Sequence, residues 1–170
     1  MPSVNRFVMY SVIAGLLAAH LALLKYINIS GYTPDLMLIA VLFIALFFGS
    51  GAGLEAGIAA GIGKDVFAMD YMGINTLSMA LTGLVVGALH TKFFKDSKLT
   101  RFIVVFFFSA FSMSVHLFAY DAVSSSQEIS FLSYAASPLL PVSIYTALLA
   151  VPLFPVLERL FGVPLLPDVI

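Results

Sequence analysis

Apolar residues occur in six long runs along the chain, separated by short polar or glycine-containing stretches. Continuous apolar runs of this length are typical of membrane-spanning helices, whereas a helix at a water-exposed surface shows polar residues on one face. The pattern therefore predicts an all-α integral membrane protein with a single transmembrane domain over residues 1–170. The six predicted transmembrane helices cover roughly residues 7–24, 36–48, 52–67, 76–89, 102–120 and 139–157.

The first apolar run follows Arg6 and in this respect resembles a signal peptide. The run is long enough to cross a bilayer, however, and further spans follow it without a convincing small-residue cleavage site. We therefore expect an uncleaved first helix.

The second and third runs differ in length and composition. The second has about 13 apolar residues and would cover only ~20 Å as a helix, whereas a hydrocarbon core is ~30 Å thick. It must extend into its flanks, thin the bilayer or stop short, so a hairpin of these two runs that does not fully cross remains an alternative. We expect Thr33 to cap the second helix with Pro34 in its first turn. The third run is rich in Gly and Ala and predicts a central helix surrounded by protein.

Glycines recur at a spacing of four residues in the middle of the chain. This spacing places them on one helix face, where a second helix can approach closely. We expect the first four to pack inside the protein, whereas for the last two both internal packing and packing against a partner helix remain open. The glycines are Gly49, Gly53, Gly57, Gly61, Gly83 and Gly87.

The composition agrees with the pattern, because 61% of the residues are hydrophobic and only 10% are charged. A soluble domain is closer to half apolar and a quarter charged. The chain has no cysteine, which excludes disulfides, thiolate metal sites and a cysteine nucleophile. Its formal net charge of -1 gives no sign of nucleic-acid binding.

The distribution of basic residues predicts the orientation. With both termini in the cytoplasm, six basic residues lie inside and only Lys25 and Lys64 lie outside, which satisfies the positive-inside rule. The basic loop between the fourth and fifth helices could bind anionic lipid head groups or an acidic partner, but it could also serve only to fix the topology. The six inside residues are Arg6, Lys92, Lys95, Lys98, Arg101 and Arg159.

Two acids in the third segment are candidate functional groups. Asp65 lies beside the glycine face, and an acid near the end of a membrane helix is costly and often functional. It could equally lie at the outer interface, where adjacent Lys64 would neutralise it or where it would cap the next turn. Glu55 suits the first turn of its helix because of the helix dipole, and this structural interpretation is favoured.

The remaining polar residues do not indicate catalysis. His20, His90 and His116 share no helix at ligand spacing, and we expect only His116 to be buried, as a structural histidine. The HExxH, GxSxG and Walker motifs are absent from the sequence. We therefore expect no catalytic residue, no metal site and no cofactor.

The central stretch resembles the family of the rod shape-determining protein MreD. A Pro-Asp-Leu entry at Pro34 and Asp35 precedes the glycine-rich helix, which closes on Asp65, and a Gly-x-Asn-x-Leu turn with Gly73 and Asn75 follows. The order and spacing match across residues 34–87, and the chain length and the basic loop also fit. Lys64 departs from the pattern, since an apolar residue is expected beside the acid.

The resemblance implies a non-enzymatic scaffold of the bacterial elongation machinery in the cytoplasmic (inner) membrane. Its implied partners are MreC and, directly or through MreC, the RodA glycosyltransferase and a penicillin-binding transpeptidase. MreB filaments are a further candidate partner, and membrane lipid surrounds the chain. The family is also similar in architecture to the substrate-capture subunits of energy-coupling-factor vitamin transporters.

That similarity supplies a rival hypothesis, a small-molecule-binding subunit of a vitamin-type transporter. Such a subunit needs a pocket with converging polar groups near the outer face. The chain offers few of them, namely Asp65, Asp70, Asn75 and the 124–128 loop. A membrane enzyme acting on lipid-linked substrates is a third hypothesis, but it would need paired acids or a metal cluster, which the sequence does not provide.

Overall fold

The computed structural model describes residues 4–28, 31–68, 71–90, 98–123 and 138–163. Within these residues the chain forms six α-helices and no strand, which confirms the predicted all-α class for this part of the chain. Lys92 and Lys95 of the basic loop, Asp70 and residues 124–128 lie outside the described residues. The helices are α1 (Arg6–Ile27), α2 (Leu36–Phe48), α3 (Ser50–Phe67), α4 (Ile74–Ala88), α5 (Lys98–Val123) and α6 (Leu140–Phe161).

Successive helices run antiparallel, so the bundle has two ends. Arg6 at the start of α1 lies 3.4 Å from Glu55 near the start of α3. The ring of Phe48 at the end of α2 lies 5.6 Å from that of Phe161 at the end of α6. We call this the Arg6 end, and the opposite end, where α2 and α4 begin, the Asp35 end.

The helix at the centre of the bundle is α2. Every residue from Leu36 to Leu46 is buried, whereas α3 exposes Ile58, Ile62 and Val66 along one side. The prediction that α3 is the central helix was wrong. A helix that is apolar all round can be buried on every side, and α2 has no polar residue between Leu36 and Phe48. The glycines of α3 instead form one narrow face, which packs against α4 and, at Gly53, also against Ala45 of α2.

Helix length and composition distinguish the six helices. In the described residues, α5 from Leu99 and the whole of α6 are long and apolar enough to cross a membrane. Three shorter stretches are also apolar, namely 6–22 in α1, α2 and α4. The described helices are thus compatible with a membrane protein.

Two turns depend on glycine conformations. Gly49 between α2 and α3 has a φ of 87°, and Gly73 before α4 has a φ of 101°. Side-chain-bearing residues rarely adopt this region, so these glycines permit the reversals of chain direction. Asp35, not Thr33, caps α2, because its Oδ1 accepts a 3.0 Å hydrogen bond from the backbone N–H of Leu38.

Candidate functional site

The glycines of α3 form the contact with α4, the most extensive helix pair in the bundle. A Cβ atom added at Gly53 would collide with the carbonyl oxygen of Gly83. One added at Gly57 would lie 2.7 Å from Ala80 Cα. At Gly61 the collision would be with the backbone of Thr76. Backbone therefore lies directly against backbone along three turns of α3.

The glycines of α4 complete the same interface. A Cβ atom on Gly83 would meet the backbone of Gly53, and one on Gly87 would lie 2.5 Å from the nitrogen of Ser50. Both glycines therefore pack inside the bundle. The sequence had left open whether they pack internally or against a partner helix. Gly49 differs from the other glycines of the series, because it forms the turn before α3 and its nearest neighbour is the ring of His90, 3.6 Å from an added Cβ.

Asp65 at the end of α3 caps the beginning of α4. Its Oδ1 accepts hydrogen bonds from the backbone N–H and the side-chain amide of Asn75, at 3.1 and 3.0 Å. Its Oδ2 accepts hydrogen bonds from the backbone N–H and the hydroxyl of Thr76, at 3.0 and 2.5 Å. The carboxylate that caps α4 thus comes from the preceding helix α3. Asp65 is buried and joins α3 to α4 beyond the glycine contact.

Replacing Asp65 with Asn should destabilise this junction. One carboxylate oxygen becomes an NH2 group, which cannot accept the two hydrogen bonds now made to Oδ1 or Oδ2. Charge-assisted hydrogen bonds contribute about 1.5–3 kcal/mol each, and an NH2 group facing Thr76 can regain one bond because the Thr76 hydroxyl can also accept. We therefore expect a loss of about 2–4 kcal/mol in the free energy of unfolding.

The measurement is the midpoint of thermal unfolding in detergent, followed by size-exclusion chromatography of a fluorescent fusion. Asp121→Asn is the matched control, because Asp121 is exposed near the end of α5. Equal midpoints for the two variants would contradict the capping role.

Lys64 does not neutralise Asp65, because its ammonium group binds Asp35. The Nζ atom of Lys64 lies 2.7 Å from Asp35 Oδ2, and both side chains are largely buried. The backbone N–H of Asp35 donates a 3.1 Å hydrogen bond to the Thr146 hydroxyl of α6. Burial disfavours the charged form of Asp35, but Lys64 and the N–H of Leu38 hold the pKa of this carboxyl below its ordinary value. Lys64 is the residue that departs from the family pattern, and it binds Asp35, the acid of the Pro-Asp-Leu motif.

A polar cavity of about 230 Å³ opens among the helices near the Asp35–Lys64 pair. All six helices contribute to its lining. The polar side chains on its walls include two histidines and three serines from different helices. The polar lining residues are His20, Thr33, Asp35, Lys64, Asn75, Ser78, Ser109, Ser112 and His116.

The histidines are placed differently from their predicted positions. His20 is the buried one and His116 is only partly buried, although both line the cavity. The expectation that only His116 is buried was therefore wrong. His90 lies at the Arg6 end with its Nδ1 atom 2.6 Å from the carbonyl oxygen of Gly87. Among the described residues, no group of three His, Asp or Glu side chains is placed to bind a metal ion.

An apolar groove of about 470 Å³ lies between α1 and α6, towards the Arg6 end. Gly15 lines this groove, and within the described part of the chain an added Cβ there would meet nothing within 4 Å. The side of α1 that carries Gly15 also exposes the small residues Ser11, Ala18 and Ala22. Gly15 thus differs from the glycines that contact backbone inside the bundle, namely Gly53, Gly57, Gly61, Gly83 and Gly87.

Ion pairs that the sequence did not predict join the helices at the Arg6 end. Arg101 of α5 lies 2.7 Å from Glu158 of α6, and both side chains are largely buried. Glu55 of α3 accepts a 2.6 Å hydrogen bond from the hydroxyl of Tyr10 and lies close to Arg6. Charged residues near helix ends were the available signal, but the sequence did not indicate which ones pair.

The chain was compared with known proteins. A family model for the rod shape-determining protein MreD matches residues 1–163. The chain belongs to the MreD family. Comparisons with curated proteins and with solved structures gave no match. The predicted resemblance is confirmed, and the match extends beyond residues 34–87 to the first helix and to the helices after Arg101.

MreD is a membrane protein family with a role in determining rod cell shape. The residues that carried the resemblance meet at the Asp35 end of the bundle. Pro34 and Asp35 precede α2, Asp65 ends the glycine face of α3, and Gly73 and Asn75 begin α4. Among them, Asp65 joins α3 to α4 through its hydrogen bonds with Asn75, and Asp35 joins the start of α2 to α3 through Lys64.

Proposed function

We propose that this MreD family member is a non-enzymatic scaffold of the elongation machinery in the bacterial cytoplasmic membrane. Each of its six helices crosses the membrane, and both termini lie in the cytoplasm, with the Arg6 end inside. The antiparallel helix order and the excess of basic residues in the segments assigned to the inside support this arrangement.

The shortness of α2 is compatible with six crossings. Its 13 residues cover only ~20 Å, but mismatch with the bilayer concerns helices that contact lipid. Residues 36–46 of α2 contact protein on all sides.

The absence of cysteine makes the orientation testable with single substitutions. An impermeant thiol reagent should label Asn28→Cys in intact spheroplasts, but Val163→Cys only after lysis. Labelling of Val163→Cys in intact spheroplasts, with Asn28→Cys labelled only after lysis, would show the opposite orientation.

The groove between α1 and α6 is the proposed docking surface for the transmembrane helix of MreC. The open face of Gly15 carries this assignment, because among the described residues an added Cβ there meets nothing within 4 Å, whereas the glycines at the α3–α4 contact lie against backbone. Gly51 of α3 is also open, but it does not line the groove. Small residues allow a partner helix to approach closely, and the large apolar side chains that line the groove would contact that helix on both sides. These side chains are Phe7, Val8, Val12, Leu16, Leu153, Val156, Leu157 and Leu160. Docking there would position MreC, and with it RodA and the transpeptidase, for wall synthesis.

Replacing Gly15 with Leu should block this docking without disrupting the fold. Among the described residues, no atom lies within 4 Å of an added Cβ at this position, so the fold has room for the new side chain. Leu also favours a helix more than Gly by about 1 kcal/mol. We expect co-expressed MreC to be recovered at roughly one-tenth of its normal amount or less, which corresponds to at least about 1.4 kcal/mol of lost binding free energy. The measurement is mild-detergent purification of the tagged chain with quantification of MreC.

Two controls accompany this experiment. Gly15→Ala keeps the surface small and should retain most MreC, whereas Ala88→Leu adds bulk to an exposed position of α4, away from the groove. Unchanged MreC recovery with Gly15→Leu would exclude the groove as the docking surface. Recovery of an ATPase-coupled transmembrane subunit in place of MreC would support the vitamin-type transporter hypothesis.

A further inference from the structure

We propose that the polar cavity near the Asp35–Lys64 pair is a binding site for an uncharged polyhydroxyl compound about the size of a monosaccharide. This proposal does not depend on docking in the groove between α1 and α6, because the two features lie on different parts of the bundle and have no lining residue in common.

Two groups on the cavity wall lack hydrogen-bond partners within the described structure. They are the Nδ1 atom of His20 and the hydroxyl of Ser109, and the two residues are 9% and 1% exposed. Buried polar groups in folded proteins are nearly always hydrogen-bonded, and leaving one unsatisfied costs free energy. Both residues line the same cavity, and from this placement we infer that a molecule bound inside it satisfies both groups.

The charges on the wall favour a neutral ligand. Among the described lining residues, Asp35 supplies the carboxylate and Lys64 the ammonium group, and they neutralise each other at 2.7 Å. Neither charge is therefore available to balance a ligand ion. The serines and histidines can both donate and accept hydrogen bonds, which is what hydroxyl groups require.

The size and the apolar part of the lining narrow the ligand further. A volume of about 230 Å³ corresponds to roughly eight water molecules at about 30 Å³ each, which is enough for a small sugar or polyol. Leu38, Met79, Met113 and Val142 supply apolar contacts for the C–H faces of such a molecule. A free sugar and the sugar head group of a lipid present the same chemistry, so the experiment must separate them.

The test is equilibrium dialysis of the purified chain in mild detergent against radiolabelled glucose and radiolabelled glycerol. We expect saturable binding of at least one probe to a single site. Ser109→Ala should weaken it by about tenfold, which corresponds to the loss of one hydrogen bond. A chain that binds neither free probe is reconstituted in nanodiscs with a monoglucosyl diacylglycerol. Binding there would assign the site to a lipid head group.

Ser143 provides the matched control. Its hydroxyl is also buried and has no hydrogen-bond partner among the described residues, but Ser143 does not line the cavity. Both Ser109→Ala and Ser143→Ala should raise the thermal midpoint of the unliganded chain, because each removes an unsatisfied hydroxyl. Only Ser109→Ala should weaken probe binding.

Three results would overturn the proposal. The first is no saturable binding of glucose, glycerol or the glycolipid by a chain that remains monodisperse, which would indicate a cavity filled only with water. The second is an equal loss of binding in Ser109→Ala and Ser143→Ala. The third is tighter binding of a charged probe, acetate or choline, than of the neutral ones.

Discussion

Gly57→Leu should prevent the chain from forming its helical bundle. A Cβ atom at position 57 would lie 2.7 Å from Ala80 Cα and would also collide with the carbonyl oxygen of Met79. Both obstacles belong to the backbone of α4, so no side-chain rotation can relieve them. Overpacking in a core costs about 1–3 kcal/mol where side chains can yield, and we expect more than about 3 kcal/mol here. The measurement is the monodisperse fraction of a fluorescent fusion on size-exclusion chromatography.

Gly15→Leu is the control that separates the two roles of glycine. It makes the same substitution within a helix, but an added Cβ at Gly15 meets nothing within 4 Å. The Gly15 variant should remain monodisperse and lose MreC, whereas the Gly57 variant should lose both the fold and MreC. A monodisperse Gly57→Leu protein with a normal thermal midpoint would show that α3 and α4 do not pack as described.

The spacing of the glycines predicts which of them share a helix face, but it does not predict which helix packs against that face. A four-residue repeat places Gly53, Gly57 and Gly61 on one face, and helix geometry alone establishes this. The partner of that face could not be predicted in the same way, because Gly83 and Gly87 were equally suited to internal packing and to a second protein. In the structure both sets lie at the α3–α4 contact, where Gly53 and Gly83 face each other and the remaining glycines lie against the backbone of other residues.

The wrong choice of central helix has a physical cause. The Gly and Ala content of α3 predicts a helix buried on all sides. A face of glycines, however, requires close packing only on the side where the glycines lie. The continuous apolar run of α2 permits burial on every side, because residues 36–46 carry no polar side chain. The run alone does not distinguish burial in protein from contact with lipid, since α5 and α6 are also long and apolar.

The polar cavity could be predicted only in part. Ser109, Ser112 and His116 recur at spacings of three and four residues, which places them on one face of α5. This spacing is a signal in the sequence for a polar face on α5. Their convergence with His20, 89 positions or more away along the chain, depends on how six helices pack, which local periodicity does not determine.

The buried pair of Arg101 and Glu158 also depends on packing between distant segments. The Nη2 atom of Arg101 lies 2.7 Å from Glu158 Oε1, and the Glu158 side chain is only 4% exposed. The guanidinium carbon also lies 5.7 Å from the centre of the Phe154 ring. Arg101 therefore holds the ends of α5 and α6 together through one carboxylate and one aromatic face.

Arg101→Leu should destabilise the chain by about 3–5 kcal/mol, because it leaves the Glu158 carboxylate buried without its cation. The thermal midpoint in detergent should fall well below that of the unmodified chain. Arg6→Leu is the matched control at the same end of the bundle. The Arg6 side chain is 74% exposed, so removing its ion pair with Glu55 should change the stability by no more than about 1 kcal/mol.

The double variant Arg101→Leu/Glu158→Leu distinguishes the charge from the packing. Removing both members of a buried ion pair eliminates the unpaired charge, and apolar replacements of such pairs are often neutral or stabilising. The double variant should therefore recover most of the midpoint lost in Arg101→Leu. If it is as unstable as the single variant, the stability depends on the contacts of the Arg101 side chain with Phe154 and its surroundings, and the buried carboxylate is not the cause.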